Sequence, residues 1–412
     1  MIAEDFIAKI EGHGALNIDW TKKKVRLEVL EGERLFEGIL VGRPAKDAPW
    51  VTARICGVCP IAHNLASLKA VEAAFGIIPN RTTILLRKLM EASQIIQSHT
   101  LHLFFLALPD YIDLDSGLEL AKKNPKAFKA VLALKGISDE ISQVVAGREV
   151  HPTTTITGGF YKIPTKKALA DLAKKLEKNI KASLIAVNLF KKLDYPRYNI
   201  ELEFVSQTDN KNYPGYDSEK IISSQKDSSS IDNYKTDIAE EVRKNSTAKF
   251  AKYKKREVMV GALARLATHQ NHLDPACKKL ASLVNFKNPF HNNFAQAIEI
   301  LHFYKSAQKI IEVLLKEELD PKIIHPSNHP SLKGIGAVEA PRGGLYHEIH
   351  LDDKGKITFV NIITPTVQNL TSMEKSAQAI LDQSPGIAPE EAKRLIEMLI
   401  RAYDPCITCA VH

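Results

Sequence analysis

Cysteine is scarce in this chain, which has five cysteines in 412 residues. So few thiols exclude a disulfide-rich scaffold, whose framework needs cysteine at a much higher density. Four of the five nevertheless form two Cys-x-x-Cys pairs, Cys56 with Cys59 and Cys406 with Cys409. In a reducing compartment, paired cysteines indicate metal binding or redox chemistry.

Long hydrophobic runs are also absent. The most apolar stretch, Leu101 to Leu108, is shorter than the roughly 18 residues that a membrane span needs. The N-terminal residues carry acidic side chains early and lack the basic, apolar and small-residue order of a signal peptide. We therefore predict a soluble, cytoplasmic protein without a membrane span.

The basic runs do not form a recognisable nucleic-acid-binding module, in which such runs are interleaved with aromatic residues. The formal net charge of +8 is instead spread over short runs such as TKKKVR and KYKKRE. Such runs are typical of solvated, lysine-rich helix faces. No nucleic-acid partner is predicted.

Hydrophobic periodicity predicts a mainly α protein, a large helix bundle with small β elements near both termini. Predicted helices follow Pro60 and occupy Thr82 to Leu108, Lys166 to Leu193, Phe294 to Leu319 and Pro389 to Tyr403. Alternating patterns predict β-hairpins in residues 15–31 and 344–366, and the segment 37–53 is expected to be extended. The chain is predicted to be a single domain, residues 1–412, with a polar, irregular insert at about 206–249.

The two cysteine pairs lie 350 positions apart (406 − 56). Two Cys-x-x-Cys turns can bring four thiolates to one metal, and the spacing leaves a structural zinc site, a redox dithiol and a catalytic soft-metal site open. Zinc ribbons usually place their pairs within about 15 to 20 residues. Charged residues flank both pairs, namely Arg54, His63, Asp404 and His412. Such flanks favour a site whose surroundings tune the ligands and carry protons.

RICGVCPIAH (54–63) and DPCITCAVH (404–412) resemble the two signature motifs of the large, catalytic subunit of nickel–iron hydrogenases. Further segments match the family in the same order: EGHG (11–14), RLFEGILVGR (34–43), EAPRGGLYH (339–347) and NIITPTVQN (361–369). The chain is most similar to the cytosolic, bidirectional group of the family. The resemblance implies the hydrogenase large-subunit fold in one domain, and the reversible heterolytic cleavage of H2 to protons and electrons.

The resemblance also implies the metal ligands. All four paired cysteines would bind nickel, and Cys59 and Cys409 would also bridge to an iron that carries cyanide and carbon monoxide, Fe(CN)2(CO). Thiolates suit this role because they are soft, electron-rich donors. A magnesium ion is implied at Glu37, the carbonyl of Ile362 and His412, although magnesium generally prefers oxygen ligands.

Roles for the neighbouring residues follow from the same resemblance. A base must accept the proton released from H2, and the Cys406 thiolate and Arg342 are candidates. Asp110 and Asp404 would hold Arg342 by charge-assisted hydrogen bonds, and Glu11 would pass the proton onward. The groups that would bind the iron's ligands or a bridging sulfur are Arg342, Pro365, Thr366 and His63.

One position departs from the family pattern. The family usually has Arg-Gly-Phe-Glu where this chain has Arg34-Leu35-Phe36-Glu37. The glutamate is kept, but leucine replaces the glycine, so the backbone conformation at Leu35 becomes a point of interest.

Electron transfer requires a second polypeptide. If four cysteines bind nickel, Cys277 alone cannot ligate an iron–sulfur cluster. The resemblance implies that the partner is an iron–sulfur small subunit, joined in some members by flavin-containing, diaphorase-type or other electron-transfer subunits.

Two other functions remain open on the residues alone. A hydrogen-sensing or scaffold homologue would keep the metal site with little turnover, and a structural zinc protein would have no redox role. A related subunit of respiratory complex I shares the fold but lacks the four cysteines, which argues against it. His99 and His102 are expected to pack within a helix, and Cys277 to be an ordinary packed or surface cysteine.

Overall fold

The computed structural model describes residues 2–327 and 330–412. In chain order its helices are α1 (Phe36–Leu40), α2 (Ala48–Thr52), α3 (Pro60–Phe75), α4 (Arg81–Leu101), α5 (Leu120–Lys123), α6 (Pro125–Ala146), α7 (Lys166–Lys191), α8 (Tyr234–Asp237), α9 (Ala262–His269), α10 (Pro275–Ala281), α11 (Asn292–Lys316), α12 (Pro365–Gln383), α13 (Pro389–Ala402) and α14 (Ile407–Ala410). The strands are β1 (Ile2–Phe6), β2 (Gly14–Asp19), β3 (Lys24–Val29), β4 (Thr155–Ile156), β5 (Gly159–Phe160), β6 (Glu203–Thr208), β7 (Lys220–Ser223), β8 (Ser228–Ser230), β9 (Ile238–Glu241), β10 (Phe250–Tyr253), β11 (Val258–Met259), β12 (Lys333–Ala340), β13 (Gly343–Leu351) and β14 (Ile357–Ile363).

A bundle of four long helices, α4, α6, α7 and α11, forms the body of the molecule. Side chains cap three of their N-termini: Asn80 accepts from the Thr83 amide, Asn124 from that of Ala127, and Thr165 from that of Ala168. Each cap satisfies a backbone N–H that the helix itself leaves free. The predicted mainly α fold is confirmed, although the sequence pattern did not reveal α6.

Helix α4 ends in an unusual way. It continues as a π-helical turn from His102 to Ala107 and then as a 3₁₀ turn from Leu108 to Tyr111. The predicted helical stretch up to Leu108 is therefore present, but its last residues are wound differently. π-helical turns are rare and often occur at functional sites.

The strands β12, β13 and β14 form an antiparallel sheet that packs against α3. The close approach requires glycine, because a Cβ at Gly334 or Gly336 would lie 2.0 Å from a backbone oxygen of α3. The predicted hairpins are present as β2 with β3 and β13 with β14. This sheet brings residues 340–342, between β12 and β13, next to the N-terminus of α3.

Two segments differ from the sequence prediction. The region around 206–249 contains β7, β8, α8 and β9 in place of an irregular insert, because scattered apolar residues such as Ile221 and Ile238 are buried. Tyr234 stacks on Tyr346 with ring centroids 5.3 Å apart. Residues 37–53, expected to be extended, contain α1, a 3₁₀ turn and α2. Helices this short do not display a full apolar period.

Across the part of the chain that the structure describes, no helix combines the length and apolar character needed to cross a bilayer.

Candidate metal centre

Four cysteine sulfurs converge in the interior. Cys56 and Cys59 precede α3, while Cys406 and Cys409 lie at α14, and the four Sγ atoms are all within 4.8 Å of one another. Sγ of Cys56 is 3.3 Å from that of Cys406, and Sγ of Cys59 is 3.2 Å from that of Cys409. All four residues are buried and none forms a disulfide. The two pairs therefore meet at one point, as the sequence predicted.

The protonation of these thiols fits a site built for a cation. Burial raises the pKa of Cys406 and Cys409 well above the ordinary value, whereas a hydrogen bond with Cys406 lowers the pKa of Cys56. A buried cluster cannot hold several thiolates unless a positive charge offsets their repulsion. A soft metal cation supplies that charge and takes sulfur ligands readily. The donor set therefore fits a thiolate-bound metal centre.

Arg34 ties the two cysteine segments together. Its guanidinium donates to the carbonyl of Ile55 at 2.6 Å and also to the carbonyl of Thr408, while its backbone N–H donates to Val411 at 3.0 Å. One side chain thus spans the segments that precede Cys56 and follow Cys406. The sequence analysis gave Arg34 no role, although it begins one of the matching motifs.

Arg342 is buried beside the sulfurs and held by Asp404. Its Nε donates to the Asp404 carbonyl at 2.7 Å and its Nη2 to the Asp404 carboxylate at 2.8 Å. Nη1 donates to the Ser98 hydroxyl at 3.3 Å. Burial alone would lower the pKa of Arg342, but the charges of Asp404 and the cysteines raise it well above its usual value. The guanidinium therefore stays positively charged over the site.

The prediction that Asp110 also orients Arg342 is wrong. The Asp110 carboxylate instead pairs with Lys9 at 2.6 Å and with Arg401 at 2.5 Å. Asp110 lies 12 positions after Ser98 (110 − 98). The end of α4, the π-helical turn and the 3₁₀ turn lie between them, so about three helical turns separate the two residues. Ser98 occupies the place beside Arg342 that was predicted for Asp110.

A very small cavity of about 10 Å³ adjoins the sulfurs. Apolar Ala340, Pro341, Leu345 and Pro365 form most of its lining besides the centre's own residues, and Arg342, Thr366 and His63 contribute polar groups. The Thr366 hydroxyl accepts from the Cys406 N–H at 3.0 Å, which leaves its own proton free to donate. The wall beside the sulfurs is therefore largely apolar, with polar donors from Arg342 and Thr366.

Two buried histidines lie behind Cys409. The His63 Nε2 atom is 3.6 Å from the Cys409 sulfur, and its Nδ1 is 3.2 Å from Nε2 of His347. The Ser67 hydroxyl lies 3.1 Å from Nδ1 of His347. Burial lowers the pKa of His63 to about 3 and that of His347 well below its usual range, so both rings are neutral. His347 lies in a matching motif, but its role was not predicted.

Glu11 reaches the centre through Thr408. The Glu11 carbonyl accepts from the Ile407 N–H at 2.9 Å, and its carboxylate accepts from the Thr408 N–H at 3.1 Å and from the Thr408 hydroxyl. That hydroxyl is 3.8 Å from the Cys406 sulfur. Glu11 is only partly buried. A thiol, a hydroxyl and a carboxylate therefore follow one another from the centre toward the surface.

The three predicted magnesium ligands also come together. The His412 Nε2 atom lies 2.9 Å from the Ile362 carbonyl oxygen and 3.7 Å from the Glu37 carboxylate. The Ile362 N–H donates to that carboxylate at 2.7 Å. Burial by itself raises the pKa of Glu37, but the adjacent His412 ring and the hydrogen bond from the Ile362 N–H bring the pKa below its usual value. The His412 Nδ1 is 2.8 Å from the Cys409 carbonyl, which links this group to the sulfurs.

Leu35, at the position where the family has glycine, adopts φ 53 and ψ 38. This left-handed conformation is one that glycine reaches without steric cost and leucine does not. The turn before α1 therefore holds Leu35 in a conformation that glycine would adopt without strain.

The other histidines and the fifth cysteine lie outside the centre. His99 Nε2 is 2.7 Å from the Glu299 carboxylate, and His102 lies between Gln296 and the Arg401 carbonyl. Cys277 is buried, and burial raises its pKa to about 12. The predicted packing roles of the three residues agree with these positions.

A buried four-cysteine centre beneath a charged arginine, in a mainly helical body, defines a metal-dependent redox enzyme. The chain belongs to the nickel-dependent hydrogenase family, which matches residues 34–143 and 206–412. It is a catalytic large subunit of a nickel–iron hydrogenase, as the sequence motifs predicted.

Similar proteins extend over the whole chain. The alpha subunit of sulfhydrogenase 1 from Pyrococcus furiosus is 33% identical, covering 100% of this chain and 97% of the relative. The alpha subunit of sulfhydrogenase 2 from the same organism is 32% identical, with 100% and 99% covered. The beta subunit of the NAD-reducing hydrogenase HoxS from Cupriavidus necator is 29% identical, with 99% and 94% covered.

Solved structures agree with the fold. A crystal structure of an NAD+-reducing nickel–iron hydrogenase in its H2-reduced state superposes with a TM-score of 0.91 at 25% identity, covering 100% of this chain and 99% of the other. The Ni-Fe-Se hydrogenase of Desulfovibrio vulgaris Hildenborough has a TM-score of 0.81 at 23% identity and complete coverage of both chains, which shows the fold alone. The relatives are subunits of multi-subunit hydrogenases, so partner chains are expected.

Proposed function

We propose that this chain cleaves H2 reversibly and heterolytically at a nickel–iron centre and passes the electrons to a partner subunit. The observation that carries the proposal is the convergence of four buried sulfurs beneath Arg342. When bound, the nickel–iron centre with its Fe(CN)2(CO) group supplies the Lewis-acid and electron-accepting chemistry. The residues of this chain hold the centre, keep water away and move the proton.

Cys56, Cys59, Cys406 and Cys409 would hold nickel, and Cys59 and Cys409 would also hold iron. The cavity is lined by Cys59, Cys406 and Cys409, so both members of the shared pair border it, and their assignment rests on the family motifs. Arg342 and Thr366 present donors to the same cavity, and Pro365 adds an apolar wall. These residues would bind the small ligands of the iron.

Of the two candidate bases, the thiolate of Cys406 is the better one. Arg342 stays charged, because its pKa is raised by Asp404 and by the cysteines. A charged guanidinium cannot accept a proton, but it stabilises negative charge that develops beside it. Asp404 fixes its direction, and Gln296 donates to the second Asp404 oxygen at 3.0 Å.

The proton would leave Cys406 through Thr408 and Glu11. The Thr408 hydroxyl stands between the Cys406 sulfur and the Glu11 carboxylate. A hydroxyl can donate one proton while it accepts another, and a carboxyl group near a thiol can cycle between acid and base. Glu11 is partly exposed, so it would release the proton toward solvent.

Glu37, the Ile362 carbonyl and His412 would hold magnesium. The His412 Nε2 atom lies within 4 Å of both the Ile362 carbonyl oxygen and the Glu37 carboxylate, and the His412 ring also contacts the Cys409 carbonyl. This ion would brace the C-terminal cysteine segment.

An iron–sulfur small subunit is the partner that we propose for electron transfer, in a cytoplasmic complex that works reversibly. Within the described residues, the four sulfurs of the centre form the one cluster of cysteine, histidine and acidic side chains with metal-ligand geometry. Electrons therefore need clusters on another chain. Because one relative is named an NAD-reducing hydrogenase, flavin-containing subunits are the further partners that we propose.

Metal analysis with two matched serine variants tests the function. We expect nickel and iron in the purified complex, infrared bands of cyanide and carbon monoxide, and H2-dependent dye reduction. Cys406→Ser should lose nickel and activity by about 100-fold or more, because it removes a ligand. Cys277→Ser, also buried but remote from the centre, should keep both.

Other results separate the alternatives. Stoichiometric zinc without nickel or infrared bands would identify a structural zinc protein. The full metal content and bands without dye reduction would identify a sensor or scaffold.

A further inference from the structure

We propose that Arg265 is a positioning residue that sets the wall of the metal cavity and thereby aims Arg342. This inference rests on the proposed role of Arg342. Arg265 lies on α9 and is completely buried. Its Nη1 donates to the Ala340 carbonyl and its Nη2 to the Pro341 carbonyl, both at 2.9 Å. Ala340, Pro341 and Arg342 are consecutive residues of the cavity wall.

Every N–H group of the Arg265 guanidinium is used. Besides the two carbonyls, Nε and Nη2 grip both carboxylate oxygens of Glu299 at 2.7 and 2.6 Å, and Nη1 donates to Glu339 at 2.8 Å. Arginine has five such donors in a fixed plane, and all five are accounted for. The plane of the guanidinium therefore fixes both carbonyls at once, which a residue with fewer donors cannot do.

The anchor of Arg265 is itself rigid. Glu299, on α11, is also held by His99 at 2.7 Å and by the Tyr213 hydroxyl at 2.6 Å. The charge and hydrogen bonds of Arg265, together with the hydrogen bond of His99, outweigh the effect of burial and lower the pKa of Glu299 to about 2, so the carboxylate stays ionised. The bundle helices α4 and α11 thus hold the guanidinium against the cavity wall.

Helix α9 also contacts the backbone of Arg342 directly. Gly261, just before α9, has φ 105, and a Cβ there would lie 3.0 Å from the Arg342 carbonyl oxygen. The Arg265 N–H donates to the Gly261 carbonyl at 2.9 Å. The first turn of α9 and the Arg265 side chain therefore grip residues 340–342 from one side, while Asp404 holds the Arg342 side chain from the other.

A second buried arginine provides a matched control. Arg87 is completely buried and grips both oxygens of Glu72 at 2.7 and 2.6 Å. It also donates to the Tyr216 hydroxyl and to the Ile156 carbonyl, both at 3.2 Å. None of these partners lines the cavity. A lysine at either position keeps the charge and loses the planar fork, so the cost in stability should be similar.

The experiment compares Arg265→Lys with Arg87→Lys in the metal-loaded complex. Arg265→Lys should shift the infrared bands of cyanide and carbon monoxide and lower kcat by roughly 100-fold, because a small displacement of a catalytic group is costly. Arg87→Lys should lower the unfolding temperature by a similar amount and leave the bands and kcat unchanged. Equal bands and equal kcat in the two variants would overturn the proposal.

A double mutant separates this inference from the role of Arg342. If Arg265 acts through Arg342, the variant Arg265→Lys with Arg342→Lys should be no slower than Arg342→Lys alone. If the double variant were slower than Arg342→Lys by the same factor that Arg265→Lys alone loses in kcat, the inference would be contradicted. Full activity of Arg342→Lys would instead overturn the proposed role of Arg342. If Arg265→Lys does not fold, Glu339→Gln, which removes the charge of one anchor, should give a smaller band shift, and unchanged bands would count against the inference.

Discussion

The two halves of the metal centre are held in different ways. Cys59 occupies the N-cap position of α3, a helix of 16 residues that packs along the β12–β13 sheet. The Gln94 side chain of α4 donates to the Val58 carbonyl and accepts from the Ile61 N–H, on either side of Cys59. Cys406 immediately precedes α14, which has only four residues. The first half is therefore part of the bundle, whereas the second half depends on contacts from distant segments.

These distant contacts reach the second half from across the chain. Residues 406–412 form hydrogen bonds with four distant residues, namely Glu11, Arg34, Thr366 and, through His412, Ile362. Several of these partners also serve the chemistry that we propose. In the second half, some of the same side chains therefore hold the metal and move the proton. Variants of these residues can separate the two roles.

The largest effect is expected for Glu11→Gln. The glutamine side chain can still accept from the Thr408 N–H, so the second half and its metal should remain in place. It cannot cycle a proton, so H2-dependent dye reduction should fall by about 100- to 10,000-fold. Activity and nickel content measured on the same sample check this.

Glu31→Gln is the control for that prediction. The Glu31 carboxylate accepts from the His13 N–H at 3.0 Å, close to Glu11, and has no contact with the sulfurs. Its activity should stay within about twofold of the parent. If Glu11→Gln lost its nickel together with its activity, Glu11 would act as a support and the proposed proton route would be wrong.

A smaller effect is expected for Arg34→Gln, which removes the link between the halves. The carbonyls of Ile55 and Thr408 would lose a charged donor, so the second half should bind its metal more weakly, by roughly 10- to 100-fold. Nickel retention during dialysis against a chelator measures this. Arg43→Gln, at an exposed arginine that donates to the Ile39 carbonyl at 2.9 Å, should retain nickel like the parent.

The same comparison shows what the sequence could reveal. The four cysteines, Arg342 with Asp404, and the group of Glu37, Ile362 and His412 were all predictable, because they lie in motifs. Asp110 was assigned wrongly, since a motif does not show how many turns of α4 and its π-helical end separate it from Arg342.

Supporting residues escaped the sequence for another reason. Ser98, Thr408 and Arg265 contact Arg342, Glu11 and the 340–341 backbone across segments far apart in the chain, and no local spacing encodes such contacts. The long helices were predicted from their apolar period, whereas short elements such as α1 and α2 were not. Residues that lie in local motifs could be predicted from the sequence, whereas residues that act through long-range contacts could not.

Hydrogen exchange sharpens the comparison without any substitution. In the metal-free protein, the amides of residues 406–412 should exchange faster than those of α3, because a four-residue helix has few backbone bonds of its own. Adding nickel should protect 406–412 more than α3. Equal exchange in the two segments before metal binding would remove the distinction between the halves.

The smallest effect concerns Leu35, beside the arginine that links the halves. Leucine in a left-handed conformation costs about 1 kcal/mol relative to glycine, and the Leu35 side chain is 63% exposed, so little burial is lost on its removal. Leu35→Gly should therefore raise the free energy of unfolding by up to about 1 kcal/mol. Ile39→Gly, at an exposed position within α1, should lower it by a similar amount because glycine disfavours helix. Equal destabilisation by both would show that the Leu35 side chain makes a contact that outweighs its backbone strain.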